Sequence, residues 1–295
     1  MKWILVFLAS STLFLNNALS VYRPQVVYGE DNRKDLFEVQ DLALLTAAKS
    51  TSAIFSKFKL KKSGTVFQVS SASFREEFNM CSNEPFAHQQ AGAKCSAFLV
   101  GSQMMATAGH CINSGDCGDT AFVFDFAYST VNAQPQYIPE EKVYYCSRIL
   151  KRELNGQEDY ALVLLDRAVT DRDPLKLAST QATEAMPLTV IGHPAGIPTK
   201  IADGAEVRSS NEAFFVSNLD TYGGNSGSAV FNSETMEVLG ILVRGERDYT
   251  YDSVNKCFVS NNCLQGACRG EDVTHISFIQ QAMEQNVPSA VTYLD

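Results

Sequence analysis

An all-β fold is what the sequence predicts, and three observations lead to it. Short runs rich in β-branched and aromatic residues recur along most of the 295 residues, Gly, Pro, Asn and Ser punctuate them, and only two stretches carry a helical pattern. Many short strands divided by turn residues suit a sandwich or a barrel.

Taken in order, residues 21–35 read as an extended arm, with Pro24 and a polar run from Gly29 to Arg33. Residues 41–49 read as a short helix that Asp41 caps and that carries Leu42, Leu44 and Leu45. The basic run 57–62 reads as a solvated strand edge rather than a binding patch. Strand-like segments follow at 66–69 and 97–100. Residues 121–126 alternate, which places Phe122, Phe124 and Phe126 on one side and Val123 and Asp125 on the other. Residues 161–165 are continuously apolar behind Asp159, as in a buried strand, and 188–191, 213–216, 229–231 and 238–243 continue the series. A short C-terminal helix is expected at 277–285, where Phe278, Ile279, Ala282 and Met283 cluster.

The formal net charge of -9 argues against general nucleic-acid binding, which depends on neutralising phosphates, and against adsorption to anionic membranes. Residues 1–20 have the layout of a signal peptide. Lys2 precedes a mostly apolar stretch, and Ala18 and Ser20 put small residues at the -3 and -1 positions of a cut. The apolar stretch is short for a membrane span, which takes about 20 residues, and no later segment is long and apolar enough. The expected product is a secreted, extracellular protein, with a periplasm as the alternative compartment, monomeric and without a membrane partner. Eight cysteines on an oxidising export route read as disulfides. Cys257, Cys263 and Cys268 are close together but include no tight C-x-x-C pair, so no metal site is expected. No motif for a cofactor appears, and the acidic loop 116–119 reads as solvated rather than as a calcium cage.

Acyl transfer by a serine hydroxyl needs a base, an acid that orients the base, and fixed donors for the developing oxyanion. Of four histidines, His110 lies in Thr-Ala-Gly-His-Cys at 107–111, and a Cys95–Cys111 bridge would close the loop that presents it. Ser226 lies in Gly-Gly-Asn-Ser-Gly-Ser at 223–228, before a β-rich run. Glycines there allow a sharp turn with inward N–H groups, those of Gly224 and Ser226 being the candidate oxyanion donors. Asp159 at the mouth of a buried strand is the candidate orienting acid, whereas Asp125 and Asp166 read as solvent-facing. The serine turn does not match the G-x-S-x-G elbow, because residue 228 is Ser.

The segments TAGHC (107–111), DYALVLLD (159–166) and GGNSGSAV (223–230), in that order, resemble the three catalytic blocks of chymotrypsin-like serine peptidases. GNSGS, with IGHPAGIP (191–198) and VVYGEDNR (26–33), is similar to the glutamyl endopeptidase, staphylococcal V8-like branch. The resemblance covers nearly the whole chain after the leader. It implies a peptidase domain at 26–290 made of two packed antiparallel β-barrels, at about 51–172 and 173–276. It also implies a short propeptide at 21–25, protein or peptide substrates, and a His110, Asp159, Ser226 triad in the cleft.

The resemblance leaves the side chain preferred before the scissile bond open. Counting back from Ser226 puts Asp220 at the pocket base, where an aspartate selects Lys or Arg. Thr221 matches a threonine that binds glutamate in the V8-like branch, yet Leu242 replaces that branch's pocket histidine. Arg244 or His275 would then have to supply the positive charge. His193 reads as structural. Asn225 replaces the aspartate with which digestive members bind a new N-terminus, so that switch is not expected here. The insertion at 255–270 reads as a disulfide-pinned surface loop. The alternative to an enzyme is a protease-like secreted binding protein that has lost activity.

Overall fold

A computed structural model describes residues 27–264 and 268–286. The expected leader at 1–20 and propeptide at 21–25 lie outside the described residues, as does Val26.

Six strands close the first barrel. They are β1 (Thr51–Ser56), β2 (Cys95–Gly101), β3 (Met104–Thr107), β4 (Thr120–Phe124), β5 (Val143–Leu154) and β6 (Asp159–Leu165), in the order β5-β6-β3-β2-β1-β4, with β4 pairing back to β5. Six more form the second barrel: β7 (Pro187–Gly192), β8 (Lys200–Ser210), β9 (Phe214–Ser217), β10 (Ala229–Asn232), β11 (Val238–Arg244) and β12 (Glu271–His275). Their order is β7-β10-β11-β12-β9-β8, closed by β7 on β8, and Arg33–Asp35 of the N-terminal arm adds to the outer edge of β8. All these pairings are antiparallel, and closure leaves few free sheet edges.

Among the described residues three α-helices decorate the barrels: α1 (Leu42–Lys49), α2 (Phe74–Phe78) and α3 (Ser277–Asn286). Asp41 caps α1 by accepting the N–H groups of Ala43 and Leu44, at 2.7 and 3.3 Å. Buried Ile279 and Ala282 dock α3, and Phe278 stacks on Tyr160 of the first barrel at 5.3 Å. A second-barrel helix thus braces the strand that begins with Asp159.

The core does not stop at the barrel boundary. Leu162, Val163 and Phe124 of the first barrel share one apolar cluster with Ile191, Ala229 and Ile241 of the second. The alternation read at 121–126 holds only to Phe124. Asp125 takes a left-handed φ of 61°, so Phe126 swings to the face of Ala121 and Val123 instead of joining Phe122 and Phe124.

All eight cysteines are paired: Cys95–Cys111, Cys81–Cys257, Cys117–Cys146 and Cys263–Cys268. The Cys81–Cys257 bond spans 176 residues and ties an excursion of the first barrel to one of the second. Beside that tie, α2 lays Phe74 and Phe78 against Tyr249, with Tyr222 joining from the second barrel. Removing the tie by replacing Cys81 and Cys257 together with serine should lower unfolding stability by about 2–5 kcal/mol, because it closes so long a loop. Urea unfolding of the double variant checks this, and an unchanged midpoint would refute it.

His193 follows β7 and is fully buried against the first barrel. Its ring stacks on Phe126 at 5.9 Å, Nδ1 lies 3.1 Å from the Ile197 carbonyl oxygen, and its backbone N–H donates to Ser96 Oγ at 3.0 Å. Burial pushes the imidazole down to about 3, while the Ile197 carbonyl partly opposes that. The unfolded chain therefore takes up this proton first. The stabilisation from a neutral His193 is complete above about pH 6.5 and is lost as pH falls toward 3. Melting curves between pH 7 and 3 should show this loss, and a His193→Gln variant should show a shallower acid slope than the native chain.

Candidate active site

β3 ends at Thr107, and the chain turns at once through the short 3-10 segment Gly109–Cys111. A Cβ at Gly109 would lie 2.1 Å from the Glu153 carbonyl oxygen and 3.0 Å from that of Tyr160, so only glycine fits between the two strands of the β5–β6 pair. Arg152 Nε donates to the carbonyls of Gly109 and Ile112, at 2.7 and 2.8 Å. Together with the Cys95–Cys111 bond, these contacts fix the backbone on both sides of His110.

Asp159 opens β6 and is 3% exposed. Its Oδ1 accepts the His110 backbone N–H at 3.0 Å and its Oδ2 lies 2.8 Å from His110 Nδ1. One carboxylate thus holds both the backbone and the ring. With Nδ1 as the donor, the other ring nitrogen, Nε2, is an acceptor on the more open side of a side chain that is 36% exposed. Thr274 of β12 donates its hydroxyl to the Asp159 carbonyl at 3.2 Å, which couples this end of β6 to the second barrel.

The segment 221–228 is held by a short set of bonds. Asn225 N–H donates to Tyr222, Ser228 N–H to Asn225, and Gly227 N–H to Leu242. Gly227 has φ +90°, and a Cβ there would lie 2.0 Å from the Ser96 carbonyl oxygen. Gly224 has φ +96°, and a Cβ there would lie 2.6 Å from the Gly196 nitrogen and the His193 carbonyl oxygen. Both glycines are therefore required by conformation and by space. Ser96 of the first barrel grips this turn. Its N–H donates to the Ser226 carbonyl at 2.8 Å, and its hydroxyl donates to the Gly224 carbonyl at 2.9 Å.

Two consequences matter chemically. Among the described residues, neither the Gly224 nor the Ser226 N–H finds an acceptor, so two donors remain free beside the serine. Among the described residues Ser226 Oγ has only a long contact, 3.5 Å to the Val243 carbonyl, and the Cys111 sulfur next to His110 lies 3.4 Å from the Ser226 carbonyl. The histidine turn and the serine turn therefore abut across the barrel seam. Cys95, His110 and Cys111 are close enough to hold an ion, but the two sulfurs are bonded to each other and so are not thiolates.

A cavity of about 180 Å³ opens beside Ser226, and Thr221, Leu242 and Arg244 line it. Asp220 and His275, both expected there, face elsewhere. The Asp220 carboxylate accepts the backbone N–H groups of Tyr28 and Asn32, at 2.7 and 2.9 Å, and so anchors the N-terminal arm. His275 lies four residues along β12 from the cavity end of that strand, about 13 Å away, with Nε2 2.9 Å from the Asn211 carbonyl oxygen. Arg244 does line the cavity, but its Nε is bonded to Asp272 at 2.8 Å. The rival acids are also accounted for. Asp125 pairs with Arg172 at 3.0 Å, and Asp166 accepts the Tyr145 N–H at 2.9 Å. Sequence reasoning missed Ser96, Arg152, Asp248 and Glu271. None of the four carried a local signal; that Glu271 stands in a strand whose five residues are all buried is known only from the fold.

Comparison with known proteins gives a domain match and a likeness of fold. A family model described as a trypsin-like peptidase domain matches residues 95–241, which include His110, Asp159 and Ser226. No curated protein matches the chain. Among solved structures, the VesB protease of Vibrio cholerae is 15% identical, with a TM-score of 0.52, over 86% of this chain and 67% of its own. A Glu endopeptidase is 13% identical, with a TM-score of 0.52, over 88% of this chain and 100% of its own. At these identities the structural likeness is one of fold, two six-stranded barrels in face-to-face contact, and it is the domain match that speaks to chemistry. The chain belongs to the chymotrypsin-like serine peptidases and is a serine-type endopeptidase.

Proposed function

We propose that the protein is a secreted endopeptidase whose triad is His110, Asp159 and Ser226, working through an acyl-enzyme. The observation that carries this reading is the Asp159 carboxylate, which engages both the backbone and Nδ1 of His110. Held this way, the neutral ring keeps its proton on Nδ1 and leaves Nε2 to accept the Ser226 hydroxyl proton. The freed Oγ attacks the carbonyl carbon of the scissile bond. The carbonyl oxygen becomes an oxyanion, and the unengaged N–H groups of Gly224 and Ser226 are the donors for it. Collapse breaks the C–N bond, and His110 returns the proton to the departing amine. Water, deprotonated by the same nitrogen, then hydrolyses the ester and restores Ser226. Asp159, buried and bonded, stabilises the imidazolium formed in each half-reaction.

Export is part of the proposal. Residues 1–20 act as a removable leader and 21–25 as a short propeptide, and four disulfides suit an oxidising destination. The domain is read as two lobes, 51–172 and 173–276, with the cleft between them. The V8-like segments at 26–33 and 191–198 support placement near that branch. No observation favours an inactive binding protein, since each catalytic role has a candidate residue.

Ser226→Ala should lower kcat/KM on an unfolded protein substrate by roughly 10⁴-fold or more, and Asp159→Asn by a comparable factor, with circular dichroism unchanged. A fluorophosphonate probe should label the native chain and not Ser226→Ala. Near-native turnover by Ser226→Ala would remove the nucleophile assignment.

A further inference from the structure

The cavity beside Ser226 is lined by acids, and among the described residues none of those acids is ion-paired. Glu271, 3% exposed, forms part of it. Its Oε2 accepts the Thr221 hydroxyl at 2.9 Å, and its Oε1 is 3.4 Å from both the Tyr28 hydroxyl and the Glu246 N–H. The close approach depends on Gly245, where a Cβ would lie 1.7 Å from Oε2. Asp248 forms another part of the lining, its Oδ2 accepting the Gly223 N–H at 2.7 Å, and Glu246 adds a third carboxylate.

Among the described residues, none of these three acids forms an ion pair. The guanidinium in the lining, Arg244, is spent on Asp272, which Arg269 also engages at 2.7 Å. Asp272 follows Glu271 directly, so strand alternation sends its side chain to the opposite face of β12. Burial pushes Glu271 up to about 7 and Asp248 up to about 6, the Arg33 charge only partly opposing the rise at Asp248, as expected of buried carboxylates without an ion-pair partner. A buried charge without a partner is costly, and an incoming cation removes that cost. An incoming glutamate would add a fourth carboxylate to three and be repelled. Leu242 in the same lining suits the methylene stem of a long basic side chain.

We propose that this cavity receives the Lys or Arg side chain that precedes the scissile bond, with Glu271 as its ion-pair partner and Asp248 as a second acceptor. The proposal rests on Ser226 being the nucleophile. It departs from the glutamate preference that the V8-like resemblance would carry. It also replaces Asp220, whose carboxylate is committed to the N-terminal arm, by an acid contributed from β12.

The test uses peptide anilides that differ only in the residue before the cleaved bond, Lys, Arg, Ala or Glu, with the native protein, Glu271→Gln, Asp248→Asn and Ser226→Ala. The native protein should favour Lys and Arg over Glu by more than about 100-fold. In Glu271→Gln the Lys-to-Ala ratio of kcat/KM should fall roughly 30-fold. Faster cleavage after Glu than after Lys, or an unchanged ratio in Glu271→Gln, overturns the proposal. Benzamidine, a small aromatic amidine, gives a second readout that needs no turnover. Calorimetry should detect saturable binding to the native protein and to Ser226→Ala, and no binding to either overturns the proposal. Benzamidine binding by a native protein that cleaves none of the peptides would support the cation pocket while removing the nucleophile assignment.

Discussion

Ser96 lies fully buried where the two barrels meet, and each of its polar groups is committed to the seam. Its N–H and hydroxyl hold the carbonyls of Ser226 and Gly224, its hydroxyl accepts the His193 N–H, and its carbonyl accepts the Thr107 hydroxyl. The residue before it is disulfide-bonded to the residue after His110. A single first-barrel position therefore fixes the turn that presents the serine and, through a covalent bond, the turn that presents the histidine. Buried polar groups satisfied this fully specify one arrangement, because any shift leaves several of them unpaired at once. That interlock explains why Gly224 and Gly227 admit no side chain: the space a Cβ would need is occupied by backbone from the opposing elements.

The N-terminal arm is a working part of the second barrel rather than a tail. Arg33 bonds to Asp31 and to the Tyr222 hydroxyl, and its guanidinium sits 4.0 Å from the Tyr222 ring centroid. Lys200 of β8 bonds to Asp35 and to Gln89, bringing the arm and the first-barrel excursion to one buried cation. Tyr28 reaches from the same arm to both Asp220 and Glu271. The surroundings of the cavity beside Ser226 are therefore assembled from segments nearly the full length of the chain apart, and its shape depends on the arm being docked.

The same distances explain what the sequence could and could not reveal. His110, Asp159 and Ser226 stand out as candidates because each sits in a local pattern of small residues, glycines or a buried strand whose physics is contained in a few neighbours. The Asp41 cap and α1 were legible for the same reason. Position counting put Asp220 at the pocket base, but which way a carboxylate faces was decided by Tyr28, 192 residues away. Glu271 had the opposite fate: its role comes from Thr221, 50 residues earlier, and from the missing side chain at Gly245. The partner of Cys257 was illegible too, since a bond spanning 176 residues leaves no trace in local spacing. Asp125 broke the alternation read for 121–126 because a left-handed residue is not foretold by hydrophobic period.

The long disulfide has a further consequence for a molecule that itself cuts peptide bonds. Any single backbone nick between Cys81 and Cys257 leaves the two fragments covalently joined. That interval contains His110, Asp159 and Ser226. A self-inflicted cut in an exposed loop such as that around Val131 would therefore yield a two-chain molecule with its seam still closed. Such damage would escape notice on a non-reducing gel and separate into two bands only after a thiol is added.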